Sequence, residues 1–243
     1  MSLSKNNIKL ITSLQQKKYR QKYKLFVAEG IKVVKELLDS ELEVYQIYCT
    51  DVTLNFNNSS LSVFMITEDE LRRISTLKTP NKVLALFKIP EKKEVNHSDF
   101  VLALDGVNDP GNLGTIIRLC DWFGVTKLVC SLNTVDCYNP KVVQATMGSL
   151  TRVNVVYTDL PDYIENVDVP VYTADMDGTN VYESALPDKA VLVMGNEANG
   201  ISAEVNAKVS HKLTIPRFGE IQQTESLNVA TATAILLSEF KRR

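Results

Sequence analysis

The stretch VNDPGNLGTIIRLC, residues 107–120, combines a glycine-rich turn with the start of a helix, directly after an apolar strand-like segment. Such a turn often binds phosphate, because backbone N–H groups at a helix N-terminus attract anions. The dinucleotide pattern requires G-x-G-x-x-G, and the nucleoside-triphosphate loop requires G-x-x-x-x-G-K-[ST]. Gly111 and Gly114 stand three residues apart with no glycine at Asp109, and the second pattern occurs nowhere in the chain. A common nucleotide-phosphate site is therefore disfavoured, and with it a dinucleotide-dependent oxidoreductase.

The arginine inside this stretch is its second unusual feature. The sequence predicts Asn112 as the helix cap. Arg118 lies six residues later, on the helical face of Gly114, whose missing side chain leaves space beside the guanidinium. An ordinary surface arginine of an amphipathic helix is one interpretation. The apolar residues that flank Arg118 favour another, in which the guanidinium has a partner in the protein or in a ligand.

Glycine usage divides the chain into two regions. Gly30 is the only glycine among the first hundred residues, and the other nine lie from Gly106 to Gly219. The polar segment KIPEKKEVNHSD between these regions is typical of a linker. The sequence therefore predicts a domain over 1–90, a linker over 91–99 and a domain over 100–243.

Charge is also unevenly distributed. Residues 1–95 hold 16 lysines and arginines against 11 acidic residues, whereas residues 96–243 hold 11 against 18. Seven basic residues and no acidic one lie from Lys5 to Lys24. A solvated helical face would explain this run, and so would a surface that holds a polyanion such as RNA.

The first ninety residues predict a small α/β module. Helical patterns alternate with strand-like segments, and Thr67 with Glu70 has the spacing of a capping box at the start of one helix. The predicted elements are a helix in SLQQKKYRQKY, a strand in LFVAEG, an amphipathic helix in IKVVKELL, strands in EVYQIYCT and SVFMIT, a helix in TEDELRRIS and a strand in VLALFKI.

The region after the linker alternates regularly between apolar strands and helices. Strands that are apolar throughout predict an α/β fold with a parallel sheet covered on both faces, whose ligands bind at the carboxyl ends of the strands. The predicted strands are VLALDGV, KLVCS, VNVVYT, VYTADM, AVLVMGN and HKLTIP. The predicted helices are NLGTIIRLCDWFG, PKVVQATMG, LPDYIEN, SAEVNAKVS and a final helix over roughly 226–241.

Two further loops carry polar residues at predicted strand ends. In GNEANGIS, Gly195 permits a close backbone approach, Glu197 stands where reactive groups collect, and Ser202 is the predicted cap of the next helix. In the loop that follows IPRFG, Ser226 and Asn228 stand at the start of the final helix. Helix capping explains one of these two polar residues and leaves the other without a role. Exposed backbone N–H groups at this helix start could hold the polar atoms of a ligand.

The sequence gives little support for a zinc site, a membrane-spanning segment or a histidine base. The four cysteines form no C-x-x-C pair, and the two histidines are too few for a zinc site. No apolar run is long enough to span a bilayer, and the first residues lack the apolar core of a signal peptide. We therefore expect a cytoplasmic protein without a metal, whose general base is not an imidazole.

Together, the segments DPGNLGTIIR, LVMGNEANGIS and IP…G…SLNVATATAI resemble the three motifs of the SpoU/TrmH-type RNA 2′-O-ribose methyltransferases, within the SPOUT superfamily. Their order and spacing make this resemblance specific. Residues 1–90, with FVAEGIKVVKELL, are similar to the L30e-like substrate-binding domain that many of these enzymes carry. The resemblance covers nearly the whole chain.

The resemblance implies an α/β catalytic domain with a deep trefoil knot near the C-terminus. It also implies S-adenosylmethionine as cofactor, RNA as substrate and a homodimer with the active site near the subunit interface. We expect a ribose 2′-hydroxyl of ribosomal RNA as the methyl acceptor. A transfer RNA 2′-O-methyltransferase and a catalytically silent RNA-binding or ribosome-assembly factor of the same fold are the alternatives.

The resemblance also assigns roles to residues. The implied catalytic positions are Asn112, Arg118, Glu197, Ser226 and Asn228. The implied cofactor positions are the backbone of Gly195, Ile215 and Leu227, with Thr173 and Asn228 as further contacts. Arg118 acts either as the base or by positioning the ribose, and the sequence leaves this open. EIQQTE, residues 220–225, is longer than the family pattern at this point, so the contacts of residues 217–225 cannot be transferred.

Overall fold

The computed structural model describes residues 3–54, 56, 62–91, 99–219 and 226–242. The chain divides into two compact units. Unit 1 comprises Met1–Glu91 with Asp136–Thr151, and unit 2 comprises Lys92–Val135 with Arg152–Arg243. The sequence pattern does not indicate that the segment Asp136–Thr151 groups with the N-terminal residues. Most of the predicted linker lies outside the described residues, and the predicted domain limits stay predictions.

Unit 1 is built on a four-stranded sheet with strand order β1-β4-β2-β3. β4 is antiparallel to β1 and β2, whereas β3 pairs with β2 in parallel. Apolar residues of α1, α4 and the sheet form a buried cluster, with Ile11, Leu71 and Leu84 among its members. The elements up to residue 91 are α1 (Lys5–Ser13), α2 (Lys17–Tyr23), β1 (Leu25–Glu29), α3 (Ile31–Leu38), β2 (Val44–Cys49), β3 (Val63–Met65), α4 (Glu68–Ile74) and β4 (Val83–Lys88).

Of the α-helices and strands after residue 91, ten belong to unit 2 and α6 belongs to unit 1. Most of these helices lie between consecutive strands, as the sequence pattern predicts. They are β5 (Val101–Leu104), α5 (Pro110–Trp122), β6 (Lys127–Ser131), α6 (Pro140–Thr146), β7 (Asn154–Thr158), α7 (Leu160–Glu165), β8 (Val171–Asn180), β9 (Val191–Met194), α8 (Ala203–Asn206), β10 (His211–Thr214) and α9 (Val229–Lys241).

The sheet of unit 2 has six strands in the order β10-β8-β9-β5-β6-β7, and every neighbouring pair is parallel. β5 lies at its centre, with Ala103 opposite Val193 of β9 and Val129 of β6. These three residues are fully buried. The predicted α/β fold with a parallel sheet is therefore confirmed. Because all six strands run in one direction, the loops after β5 and β9 leave the same edge of the sheet.

Helices α9 and α1 differ from the sequence predictions. α9 begins at Val229 rather than near Ser226, because the Asn228 side chain caps it and accepts from the N–H groups of Ala230 and Thr231. α1 is not among the predicted elements, since its short segment carries only a weak apolar pattern. Among the described residues, no helix is long and apolar enough to cross a membrane.

Candidate active site

The first helix turn of α5 is the starting point of the site. Asp109, not Asn112, is the N-cap, and its Oδ1 accepts from the N–H of Asn112 at 2.8 Å. The prediction that Asn112 caps this helix is wrong, because Pro110 occupies the first helical position and places the helix start before Asn112. The side chain of Asn112 is therefore available for other contacts.

Asn112 joins the three predicted motif loops through its side chain. Its Nδ2 donates to Oε1 of Glu197 at 2.7 Å, and its Oδ1 accepts from Nδ2 of Asn228 at 3.0 Å. These partners lie 85 and 116 residues away along the chain. Unit 2 thus brings together three of the five predicted catalytic residues. We refer to Asn112, Glu197 and Asn228 as the polar network.

The polar network has a fixed hydrogen-bond direction. Oδ1 of Asn228 accepts two backbone N–H groups of α9, which leaves its Nδ2 to donate to Asn112. Asn112 in turn donates to the carboxylate of Glu197. Each donor faces an acceptor, and the chain of bonds ends on an anion that strengthens the last one. The orientation of both amides follows from this pattern.

The loop that carries Glu197 is held by Asn196 and Asp105, which are not among the predicted site residues. Nδ2 of Asn196 donates to the carbonyl of Gly106 at 2.7 Å, and Oδ2 of buried Asp105 accepts from the N–H of Ser202 at 2.7 Å. Asn196 and Gly200 also exchange two backbone hydrogen bonds of 2.8 and 2.9 Å. Asp105 and Asn196 are polar residues that closely follow the buried ends of β5 and β9. Their position at the carboxyl ends of parallel strands could have identified them from the sequence.

Gly195 allows the backbone of this loop to pack closely against itself. A Cβ at Gly195 would lie 2.5 Å from the carbonyl carbon of Gly200 and 2.7 Å from the nitrogen of Ile201. The predicted close backbone approach is thus made by the chain itself. Ser202 occupies the N-cap position of α8 but makes no side-chain cap bond, and its backbone N–H is held by Asp105.

Arg118 lies outside the polar network. Its side chain is exposed on α5, whereas its neighbours Ile116, Ile117 and Cys120 are buried on the opposite side of the helix. The guanidinium is solvated, so it does not need the internal partner that its apolar neighbours suggested. No residue in the described part of the chain forms a hydrogen bond or ion pair with it. Arg118 is accessible to a ligand from outside.

The other predicted site residues are distributed around the same sheet edge. Thr173 is buried, and its hydroxyl donates to the carbonyl of Val193 at 3.3 Å. Ile215 is half-buried, whereas Ser226 and Leu227 are exposed beside the cap of α9. The structure does not bring these four residues into the polar network. The predicted insertion, residues 220–225, lies outside the described residues.

Two further observations concern the cysteine of α5 and the metal-ligating side chains. Burial raises the pKa of the Cys120 thiol, so the one cysteine of α5 stays protonated and is a poor nucleophile. Within the described ranges, no group of three or more histidine, cysteine, aspartate or glutamate side chains could hold a metal ion. The polar network offers one carboxylate and two amides, and α5 presents an exposed guanidinium.

Comparisons with known proteins match both the N-terminal and the C-terminal parts of the chain. Residues 99–238 match the SpoU rRNA Methylase family, and residues 5–85 match the MRM3-like substrate binding domain. A relative in Bacillus subtilis, named 23S rRNA (guanosine(2553)-2′-O)-methyltransferase RlmP, is 34% identical over 99% of this chain and 98% of its own length.

Two solved structures are similar over nearly the full length. A putative RNA methyltransferase of the TrmH family from Porphyromonas gingivalis is 40% identical, with a TM-score of 0.87 over 99% of this chain and 98% of its own. An AdoMet-bound rRNA methyltransferase from Sinorhizobium meliloti is 28% identical, with a TM-score of 0.85 over 100% of this chain and 97% of its own.

Proposed function

The chain belongs to the SpoU rRNA Methylase family, and we propose that it transfers a methyl group from S-adenosylmethionine to a ribose 2′-hydroxyl of ribosomal RNA. A relative of nearly equal length is named as a 23S rRNA 2′-O-methyltransferase, and a similar structure has AdoMet bound. The observation that carries the proposal is the polar network, because it joins one side chain from each of the three family motifs at the ligand-binding edge of the sheet.

The reaction forms a C–O bond to the ribose, breaks a C–S bond and releases the hydroxyl proton. S-adenosylmethionine supplies the methyl group on a positively charged sulfur, which makes that group electrophilic. A guanidinium keeps its proton at neutral pH. Arg118 therefore positions the ribose and stabilises the negative charge that develops on the 2′-oxygen, while the proton leaves to solvent. Its exposure on α5 lets an incoming RNA reach it.

The remaining catalytic positions orient the reactants. Glu197 holds the Asn112 amide, and the amide holds Asn228 in turn, so these side chains are fixed before RNA arrives. Ser226, exposed next to this cap, supplies a hydroxyl toward the ribose in our proposal.

The donor set also fits the cofactor. A sulfonium cation is favoured near the Glu197 carboxylate, and an adenosine group is favoured by apolar side chains beside backbone donors and acceptors. Gly195, Ile215 and Leu227 would hold the cofactor through their backbone groups. Asn228 and Thr173 would contribute from the polar network and from the end of the strand pair β8–β9.

The test is transfer of a labelled methyl group to RNA from cells that lack this gene. Purified ribosomal RNA and transfer RNA are supplied in parallel, and a transcript with a 2′-deoxy nucleotide at the mapped position is the control. We expect label in ribosomal RNA and none in the 2′-deoxy transcript. Label in transfer RNA alone would support the alternative of a transfer RNA 2′-O-methyltransferase. No label together with no calorimetric binding of S-adenosylmethionine would support a silent RNA-binding factor.

Arg118 provides the first mutational prediction. Arg118→Ala is expected to lower kcat/KM for RNA by about 100-fold or more, the effect of losing one preorganised donor to a developing oxyanion. Stability should change by less than about 0.5 kcal/mol, because the side chain is exposed. Arg72→Ala, at an exposed arginine of α4, is the control. Full methyl transfer by Arg118→Ala would overturn the assigned role.

Three finer features belong to the same proposal. We infer a homodimer, supported by the exposed side chain of Trp122 on α5. We infer the trefoil knot from family membership, and single-molecule pulling from both termini tests it, since a knotted chain extends to less than its contour length. A cytoplasmic location stays a prediction, to be tested by cell fractionation.

A further inference from the structure

Helices α1 and α2 of unit 1 form a strongly basic segment. Six lysines lie between residues 5 and 24, all of them exposed, and no acidic residue interrupts them. The seventh basic residue, Arg20, is buried and pairs with Asp136. The exposed charge of this segment is therefore entirely positive, which suits a polyanion such as RNA.

A pair of aromatic rings stands among these lysines. Tyr19 and Tyr23 lie one turn apart on α2, with ring centroids 6.2 Å apart and planes inclined by 13°. The ammonium of Lys18 lies 4.9 Å from the centre of the Tyr19 ring, and that of Lys22 lies 5.5 Å from the Tyr23 ring. Tyr23 is 43% exposed and Tyr19 is half-buried, so part of this flat aromatic surface is open to a ligand.

Arg20 holds α2 in place from its inner side. The side chain is 2% exposed, and its Nη1 donates to the carbonyls of Leu14 and Gln15 at 2.8 and 3.0 Å. Its Nε and Nη2 donate to Oδ2 of Asp136 at 2.9 and 2.6 Å. Since α2 is tied both to the preceding turn and to the segment Asp136–Thr151 of the same unit, the tyrosine face is held outward before any ligand binds.

We propose that α2 binds unpaired nucleotides of the RNA substrate, with bases stacked on Tyr19 and Tyr23 and phosphates held by the lysines around them. Lysines alone would suit any polyanion, including duplex RNA or an acidic protein. Two nearly parallel rings beside ammonium groups add a surface on which unpaired bases stack, and duplex bases are not available for this. This inference rests on the proposed function for its RNA partner, and it specifies which part of that RNA unit 1 contacts.

The test compares binding of a fluorescent 12-nucleotide single-stranded RNA with binding of its duplex. In the full-length protein, Tyr19→Leu/Tyr23→Leu should raise the Kd for the single strand about 10-fold or more and leave the Kd for the duplex almost unchanged, since stacking on both rings is removed. Tyr19→Phe/Tyr23→Phe keeps both rings and should bind the single strand like the unaltered protein. Tyr45→Leu, at another exposed tyrosine of unit 1, is the matched control.

The contribution of the lysines is measured by the salt dependence of RNA binding. Lys18→Gln/Lys22→Gln should reduce the slope of log Kd against log salt by about 0.7 for each phosphate that a lysine no longer neutralises. Equal weakening of single strand and duplex by the leucine variant would overturn the stacking proposal, as would an unchanged single-strand Kd. Thermal unfolding and S-adenosylmethionine binding establish that each variant is folded.

The outcome is separable from that of the proposed function. Methylated ribosomal RNA with tyrosine-independent binding would refute the role of α2 and leave the enzyme activity intact. Tyrosine-dependent binding of the single strand without methylation of any RNA would support the role of α2 and refute the proposed enzyme activity.

Discussion

At the scale of single residues, Asn112 shows how one cap decides the use of a neighbouring side chain. Asp109 and Asn112 are both good capping residues, and the capping preference of the two residue types alone does not choose between them. Pro110 decides, because it fixes the first helical position. Asn112 then becomes the centre of the polar network, a role that depends on partners 85 and 116 residues away. Family motifs indicated the identity of these residues, but local pattern could not predict their contacts.

Substitution of Asn112 by aspartate tests the direction of the network. In Asn112→Asp, a carboxylate replaces the amide nitrogen that lies 2.7 Å from Glu197. At pH 8 we expect methyl transfer to fall by about tenfold or more, because two carboxylates repel at this distance. Protonation of one carboxylate relieves this repulsion, so the deficit relative to the unaltered enzyme should shrink as the pH of the assay is lowered from 8 to about 5.5. The measurement is kcat/KM across this range.

The control for this charge change is Asn206→Asp, at an exposed asparagine of α8. It adds the same charge to unit 2 without placing it in the polar network. A deficit in Asn112→Asp that is independent of pH would contradict the like-charge explanation and would point to loss of the amide donor alone.

At the scale of elements, the central strands of unit 2 were predictable because they are short, apolar and buried on both faces. The helices between them follow from the same alternation. α1 was missed because its apolar residues are few, and it is stabilised by packing on α4 and the sheet of unit 1. The loops were predicted as ligand-binding segments, but the hydrogen bonds from Asn196 and to Asp105 that fix one of them depend on the assembled sheet.

Gly195→Ala tests the packing of the Glu197 loop. The added methyl group would lie 2.5 Å from the backbone of Gly200, so the loop must shift. We expect the free energy of unfolding to fall by about 1–3 kcal/mol, as for other overpacked sites. Affinity for S-adenosylmethionine, measured by calorimetry, should fall as well. Gly219→Ala is the control, since a Cβ there meets nothing within 4 Å. Equal behaviour of the two variants would contradict this expectation.

The capping box of α4 gives a pH-dependent prediction. The backbone N–H groups of Thr67 and Leu3 donate to Glu70 and lower its pKa. A lowered folded-state pKa means that this stabilisation is complete above the ordinary glutamate pKa and is lost as pH falls through the lowered value. Glu70→Gln should therefore be less stable than the unaltered protein at neutral pH, and the difference should shrink as pH falls through the lowered pKa, by urea unfolding. Glu68→Gln, which removes no capping bond, is the control.

At the scale of the whole molecule, charge is divided unevenly between the N-terminal and C-terminal parts of the chain. The excess of positive charge lies in residues 1–95 and the excess of negative charge in residues 96–243. Such a division favours RNA binding by unit 1, because a polyanion is attracted there and repelled by the remainder of the surface. The exposed Arg118 on α5 is then a local positive charge on an acidic unit, at the place where the ribose is proposed to bind.

The proposed homodimer can be tested at Trp122. Trp122 is 84% exposed on α5, one turn after Arg118 on the same helical face. An exposed tryptophan is unfavourable in water and typical of an interface anchor. We expect Trp122→Glu to shift sedimentation from the proposed dimer to monomer and to lower methyl transfer, because the proposed active site lies near the subunit interface. Val52→Glu, at an 82% exposed apolar residue of unit 1, should remain dimeric and active. A monomeric Trp122→Glu with full activity would show that each subunit catalyses alone, and a dimeric one would place the interface on another surface.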